Sequence, residues 1–223
     1  MDARDLEYVN ELLEQDNELR EKVREQVHDL DKKARTMSGL LNKIHSTPVD
    51  QVPALLEQVK PVLESCKDTS AALASLIPLA QFWRWKDMWT NSLRNAVFAA
   101  TMVGYLETGT LLTLPRVRDV LGIDLEWSDR YALPAEDYLH GVISLVNELS
   151  RLAVNAVTMG NFEEPIKISA FVKDLFAGFS MLNLKNDTLR RRYDSLKYDI
   201  KRIEEVVYDV SLRKLAPSKS QAF

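Results

Sequence analysis

Three of the chain's four tryptophans, Trp83, Trp85 and Trp89, fall within the stretch QFWRWKDMWTNSLR, residues 81–94. Arg84, Lys86 and Arg94 sit among them. Aromatic rings beside cations are what a single-stranded nucleic acid needs: a platform for bases and charges that follow the phosphates. The same pattern fits a helix-packing face, because Trp85, Met88, Trp89 and Ser92 recur at helical spacing. Arg84 and Lys86 lie about 200° apart on an α-helix. Both can face one strand only if the helix is disturbed there or neighbouring copies share the site.

A second basic segment, KNDTLRRRYDSLKYDIKR at residues 185–202, carries seven cations and three anions. On a helix, Arg190, Lys197 and Lys201 fall within about 40° of one another. They form a stripe flanking Tyr193, Leu196 and Ile200, with Arg191 and Arg192 beside its first turn. Such a stripe can supply sequence-independent affinity for phosphates. A solvated face, with Asp187 and Asp194 pairing locally, is the alternative.

Other chemistry finds less support. Cys66, His28, His45 and His140 are far apart and form neither a nucleophile–base motif nor a zinc-ligand spacing. No glycine-rich phosphate loop is present, and VTMGNF, residues 157–162, reads as a turn between helices. Among the carboxylates Glu107, Glu136, Asp137 and Glu148, the last lies within a largely apolar helix. It is the single candidate for a metal-dependent single-strand endoribonuclease. Arg151, one turn on, is a more ordinary partner for it. The expectation is no catalytic residue, metal or cofactor on this chain.

These residues must be carried by helices. The 223 residues include only seven glycines, and prolines fall at a few separated points. Val23, Val27, Leu30, Ala34, Met37, Leu41 and Ile44 step by four and three, which lays one apolar stripe on a long first helix. It ends near Pro48. Pro53 suits the first turn of a second helix, which Pro61 would kink or split. Pro78 opens a third, running through the tryptophans to Leu106. A short helix follows over residues 116–121, then a fifth from Leu133–Pro134 to about Thr158 and a sixth from Pro165 to about Leu182. In the last, Leu189, Leu196, Ile203 and Val210 repeat every seven residues, with Tyr193, Ile200 and Val207 between them. This predicts a single all-α domain over residues 1–216 and a polar tail, 217–223. The formal charge of −4 restricts any polyanion site to a local patch. One cysteine, a polar N-terminus and no long apolar run predict a soluble intracellular protein.

The segments VGYLETGTLLT, DYLHGVISLVNELSRLAVNAVTMGNFEEPIKIS and LNLKNDTLRRRYDSLKYDIKRIEEVVYD closely resemble the translin family, collinearly from about Pro78 to Leu212. The resemblance implies a seven-helix fold assembled into a hollow octameric shell that binds single-stranded RNA and DNA inside it. It also implies a partner, translin-associated factor X. With it the family forms a nuclease acting on small-RNA passenger strands and transfer-RNA precursor fragments, in cytoplasm and nucleus. The metal-binding carboxylates belong to the partner, whose magnesium site corresponds here to Asn95, Phe98, Ser144 and Glu148. Only Glu148 keeps an acid. The family's basic region carries over at Arg84, with Lys86 where histidine is usual. Met88 and Thr90 stand where basic residues are usual. The later region matches at Arg190, Arg191 and Arg192. VTMGNF departs from the nucleotide-binding pattern suggested for the family.

Overall fold

The computed structural model describes residues 3–185 and 187–216. The tail assigned to 217–223 lies outside the described residues. Helix α1, Ala3–Leu41, carries the predicted stripe. Val23, Leu30, Ala34, Met37 and Leu41 are buried, and Ile44 continues the row in a single 3-10 turn, Asn42–Ser46. This face packs on α2, Val52–Leu76, and α4, Thr90–Thr108. Helix α2 runs unbroken through Pro61. Pro61 lies on the exposed face, where water can satisfy the carbonyl it leaves unpaired.

The predicted third helix is two pieces. One turn, α3 at Phe82–Trp85, is followed by a 3-10 turn at Lys86–Met88 before α4 begins. The entry is fixed from elsewhere in the chain. Ala80, at φ 59°, donates its backbone N–H to Asp129 Oδ2, and Phe82 N–H donates to the Asp129 carbonyl. The tighter turn joins this anchored entry to α4.

Helix α5, Leu114–Leu121, starts with Pro115 in its first turn and ends at Gly122 in the left-handed region. Helices α6, Ala135–Thr158, α7, Glu164–Ser180, and α8, Thr188–Leu212, complete the fold. Seven helices of eight or more residues and the single turn α3 thus make up the described chain, and no strand occurs among the described residues. Helix α6 is central, packing on α4, α7 and α8. Its approach to α4 is set by Gly141, where an added Cβ would lie 2.5 Å from Val97 Cγ1 and 3.1 Å from the Phe98 nitrogen. The heptad row of α8 is the face turned inward: Leu189, Tyr193, Leu196, Ile203 and Val210 are buried. Tyr193 stacks on Phe176 and Phe179 of α7. Among the described residues no helix is long and apolar enough to cross a membrane.

Candidate nucleic-acid interface

The aromatic segment divides into core and surface. Trp85 and Trp89 are each 1% exposed, whereas Trp83 is 75% exposed. Trp85 donates its indole N–H to Gln81 Oε1, and Trp89 packs on Tyr131. Burying an indole of roughly 200 Å² at ~25 cal/mol per Å² is worth about 5 kcal/mol in gross transfer energy. Stacking a base returns only ~1–3 kcal/mol. Trp85 and Trp89 therefore stay in the core, and Trp83 is the ring of this segment available to a base.

The cations around it are partly engaged. Arg84 pairs with Asp16 of α1 at 2.6 Å and lies over the Trp85 ring, which Arg20 covers as well. Lys86 lies 5.3 Å from the centre of the exposed Trp83 ring. The interruption at Lys86–Met88 begins after Arg84, and the contacts of the two cations differ: Arg84 goes to Asp16 and Trp85, Lys86 to Trp83.

Helix α8 offers a cleaner cationic face. Asp187 caps it, accepting from the backbone N–H groups of Leu189 and Arg190. Arg190, Arg191, Lys197 and Lys201 are all exposed. Arg190 pairs with Asp194, one turn on, and lies over Tyr193. Lys197 lies over Tyr198, a ring that is 66% exposed. Arg191, Lys197 and Lys201 make no ion pair among the described residues. This face thus sets three cations without an ion pair among the described residues near an open aromatic ring, with Glu204, Glu205 and Asp209 lining a groove beside Lys201.

Arg192 points the other way. It lies about 200° around the helix from Arg190, at the edge of the buried row. Its guanidinium donates to the His140 carbonyl at 3.2 Å and to Ser144 Oγ at 2.9 Å, and approaches His140 Nδ1 at 3.1 Å. Arg94 of α4 comes to the same place, donating to the buried Asp137 at 2.6 Å. Burial, then the charges of Arg94 and Arg192, push His140 down to about 4, so its ring is neutral near pH 7. The last cation of the tryptophan stretch and the first turn of the basic helix thus meet across α6. Sequence spacing gave no sign of this junction, since Arg94, His140 and Arg192 are far apart along the chain.

The positions corresponding to a metal site do not fit a hard divalent cation, which needs several oxygen ligands. Asn95 is exposed and Phe98 is half-buried. Ser144 Oγ accepts from Arg192, which holds a cation where a metal would need an anion. Glu148 is 2.6 Å from His45 Nε2 and 3.5 Å from Arg151, and Asn155 donates to His45 Nδ1. It ties the turn at residues 42–46 to α6. Among the described residues no three His, Cys, Asp or Glu side chains gather as a metal site would require.

Fold and surface together define an all-helical protein with a cationic, aromatic-bearing face on its last helix. The chain belongs to the Translin family, whose model matches residues 18–214. It is 42% identical over 201 residues to Translin of Gallus gallus, covering 90% of this chain and 88% of that one. It is 41% identical over 199 residues to Translin of Homo sapiens, covering 89% and 87%. Similarity to Translin-associated protein X of Mus musculus is lower, 23% over 193 residues, covering 78% of this chain and 66% of the relative. Among solved structures, apo-NeC3PO superposes with a TM-score of 0.65 at 18% identity, covering 90% of this chain and 95% of the other. A complex of AfC3PO with duplex RNA superposes at 0.64 and 15% identity, covering 95% and 99%. At these identities the likeness to the solved structures is one of fold.

Proposed function

We propose that this chain is a single-stranded RNA- and DNA-binding subunit of a hollow octameric complex, formed with a translin-associated factor X partner. In this reading the partner carries the magnesium and the nuclease chemistry. The complex acts on small-RNA passenger strands and transfer-RNA precursor fragments, in cytoplasm and nucleus. This chain holds the strand and builds the shell.

The observation that carries the reading is the exposed face of α8, where Arg191, Lys197 and Lys201 stand near Tyr198 without an ion pair among the described residues. On a chain of net charge −4 these cations are a local patch of the kind a polyanion requires. The ordinary partners of Glu148, and the arginine lying against Ser144, support a role without catalysis. The relatives named Translin support the nucleic-acid reading, and the Translin-associated protein X relative supports the partner.

Fluorescence polarisation with a labelled single-stranded RNA tests it. Each phosphate contact adds about 0.7 to the slope of log K against log salt for a single strand. Arg191→Glu with Lys201→Glu removes two contacts, so the slope should fall by about 1.4 per bound chain and affinity by at least ~10-fold at moderate salt. Equal binding by parent and variant rejects the α8 face. Magnesium-dependent RNA cleavage by the purified chain alone, lost in Glu148→Ala, would instead make it an endoribonuclease in its own right.

A further inference from the structure

A cavity of about 660 Å³ lies away from the cationic face. The start of α2, the ends of α4 and α6, the start of α7 and the turn at residues 44–49 enclose it. Its volume is within the range of small-molecule sites. Val52, Leu56, Leu106, Leu152 and Ala156 give it apolar walls.

Two polar groups in it lack partners. Tyr105 is 4% exposed, and its hydroxyl, which still reaches solvent, makes no hydrogen bond among the described residues. Glu164 is half-buried, and its carboxylate has neither an ion pair nor a hydrogen bond among the described residues. Its backbone N–H, by contrast, donates to Asn161 Oδ1. Of the other charges on the cavity, Lys60 pairs with Glu57 and Glu107 at 2.7 Å from each. Lys167 is exposed and lies 3.8 Å from Glu163, and its charge also reaches Glu164. The half-buried Glu164 carboxylate is thus left without a hydrogen-bond donor among the described residues, and burying such a group is costly. Burial raises the Glu164 carboxyl above the usual range, against the opposing charge of Lys167.

We infer that this cavity binds an aliphatic ammonium group, its chain along the Leu56–Leu106–Leu152 wall and its N–H donors on Glu164, with Tyr105 as a second contact. An ammonium supplies what Glu164 lacks, and a chain of five or six carbons covers apolar wall that water now faces. A carboxylate ligand of the same length would meet Glu164 with like charge. The inference is independent of nucleic-acid binding.

Ligand-observed saturation-transfer NMR on the purified, assembled protein tests it, with hexylamine and hexanoate as matched probes. Hexylamine should show saturable transfer and hexanoate little. Glu164→Gln keeps the shape and removes the charge, and should weaken hexylamine about ten-fold, the loss of one charge-assisted hydrogen bond. Lys167→Gln removes a competing cation and should bind hexylamine at least as well as the parent. RNA affinity should be unchanged in both variants, which separates this test from that of the α8 face. Cadaverine and an Nα-acetylated, amidated lysine, run as separate arms, distinguish a free amine from a lysyl side chain. No transfer from hexylamine, equal transfer from hexanoate, or undiminished binding in Glu164→Gln would each overturn the inference.

Discussion

His140 and Cys66 show how burial fixes what single residues can do. His140 is held neutral by its surroundings and by the two flanking guanidiniums, so its folded-state value near 4 lies below its ordinary 6.5. Between those values the unfolded chain binds a proton that the folded chain does not. Stability therefore falls as pH drops from about 6.5 towards 4, and this contribution is fully present only above 6.5. Denaturant melts across that window should show a steeper loss in the parent than in His140→Gln, which cannot titrate. Parallel curves would mean His140 is protonated in the fold at no cost. Cys66 is buried and its thiol is pushed up to about 11, mainly by burial. A thiolate is the reactive species, so labelling by iodoacetamide at pH 8 should be negligible in the native protein and fast in denaturant. Rapid native labelling would show that the α1–α2 interface opens readily.

At the scale of elements, α6 packs closely against α4, and Gly141 makes that approach possible. A methyl there would strike Val97 and the Phe98 backbone together, and backbone yields less than a side-chain tip. Gly141→Ala should destabilise the fold by about 1–3 kcal/mol, as overpacking does, despite alanine's better helix propensity. A melting temperature equal to or above the parent's would contradict this packing. The helices themselves were legible in the sequence because their signals are local. The stripe from Val23 to Ile44 and the seven-residue row from Leu189 to Val210 are written in the spacing of apolar residues, and both are the buried faces observed. The interruption at Lys86–Met88 was not legible, because the anchor that fixes the entry to it is Asp129, on a distant loop. The same holds within the candidate site. The exposed positions Arg190, Arg191, Lys197 and Lys201 follow from the helical period. The inward turn of Arg192 depends on His140 and Ser144, which only the tertiary fold brings near.

For the whole molecule, the first turns of α1 leave an imbalance that a lone chain does not resolve. Leu6, Tyr8, Val9, Leu12 and Leu13 are all more than two-fifths exposed, on a helix whose later turns are sealed against α2 and α4. A run of apolar residues in water on one element marks an interaction surface. The proposed shell gives it an occupant, a neighbouring copy or the partner subunit. Assembly would also multiply the α8 face: several weak cationic patches on one particle act together on one strand, so avidity exceeds what each chain supplies. These two properties should fail together. Leu12→Asp with Leu13→Asp places charge on the exposed turns without touching the buried stripe or α8. Light scattering should then report a smaller particle, circular dichroism an unchanged helix content, and polarisation a weaker hold on a long single-stranded RNA. Binding of an RNA too short to span two chains should be little changed. A particle of parental mass would place the assembly contacts elsewhere. A smaller particle with undiminished affinity for the long RNA would show that one chain's α8 face suffices.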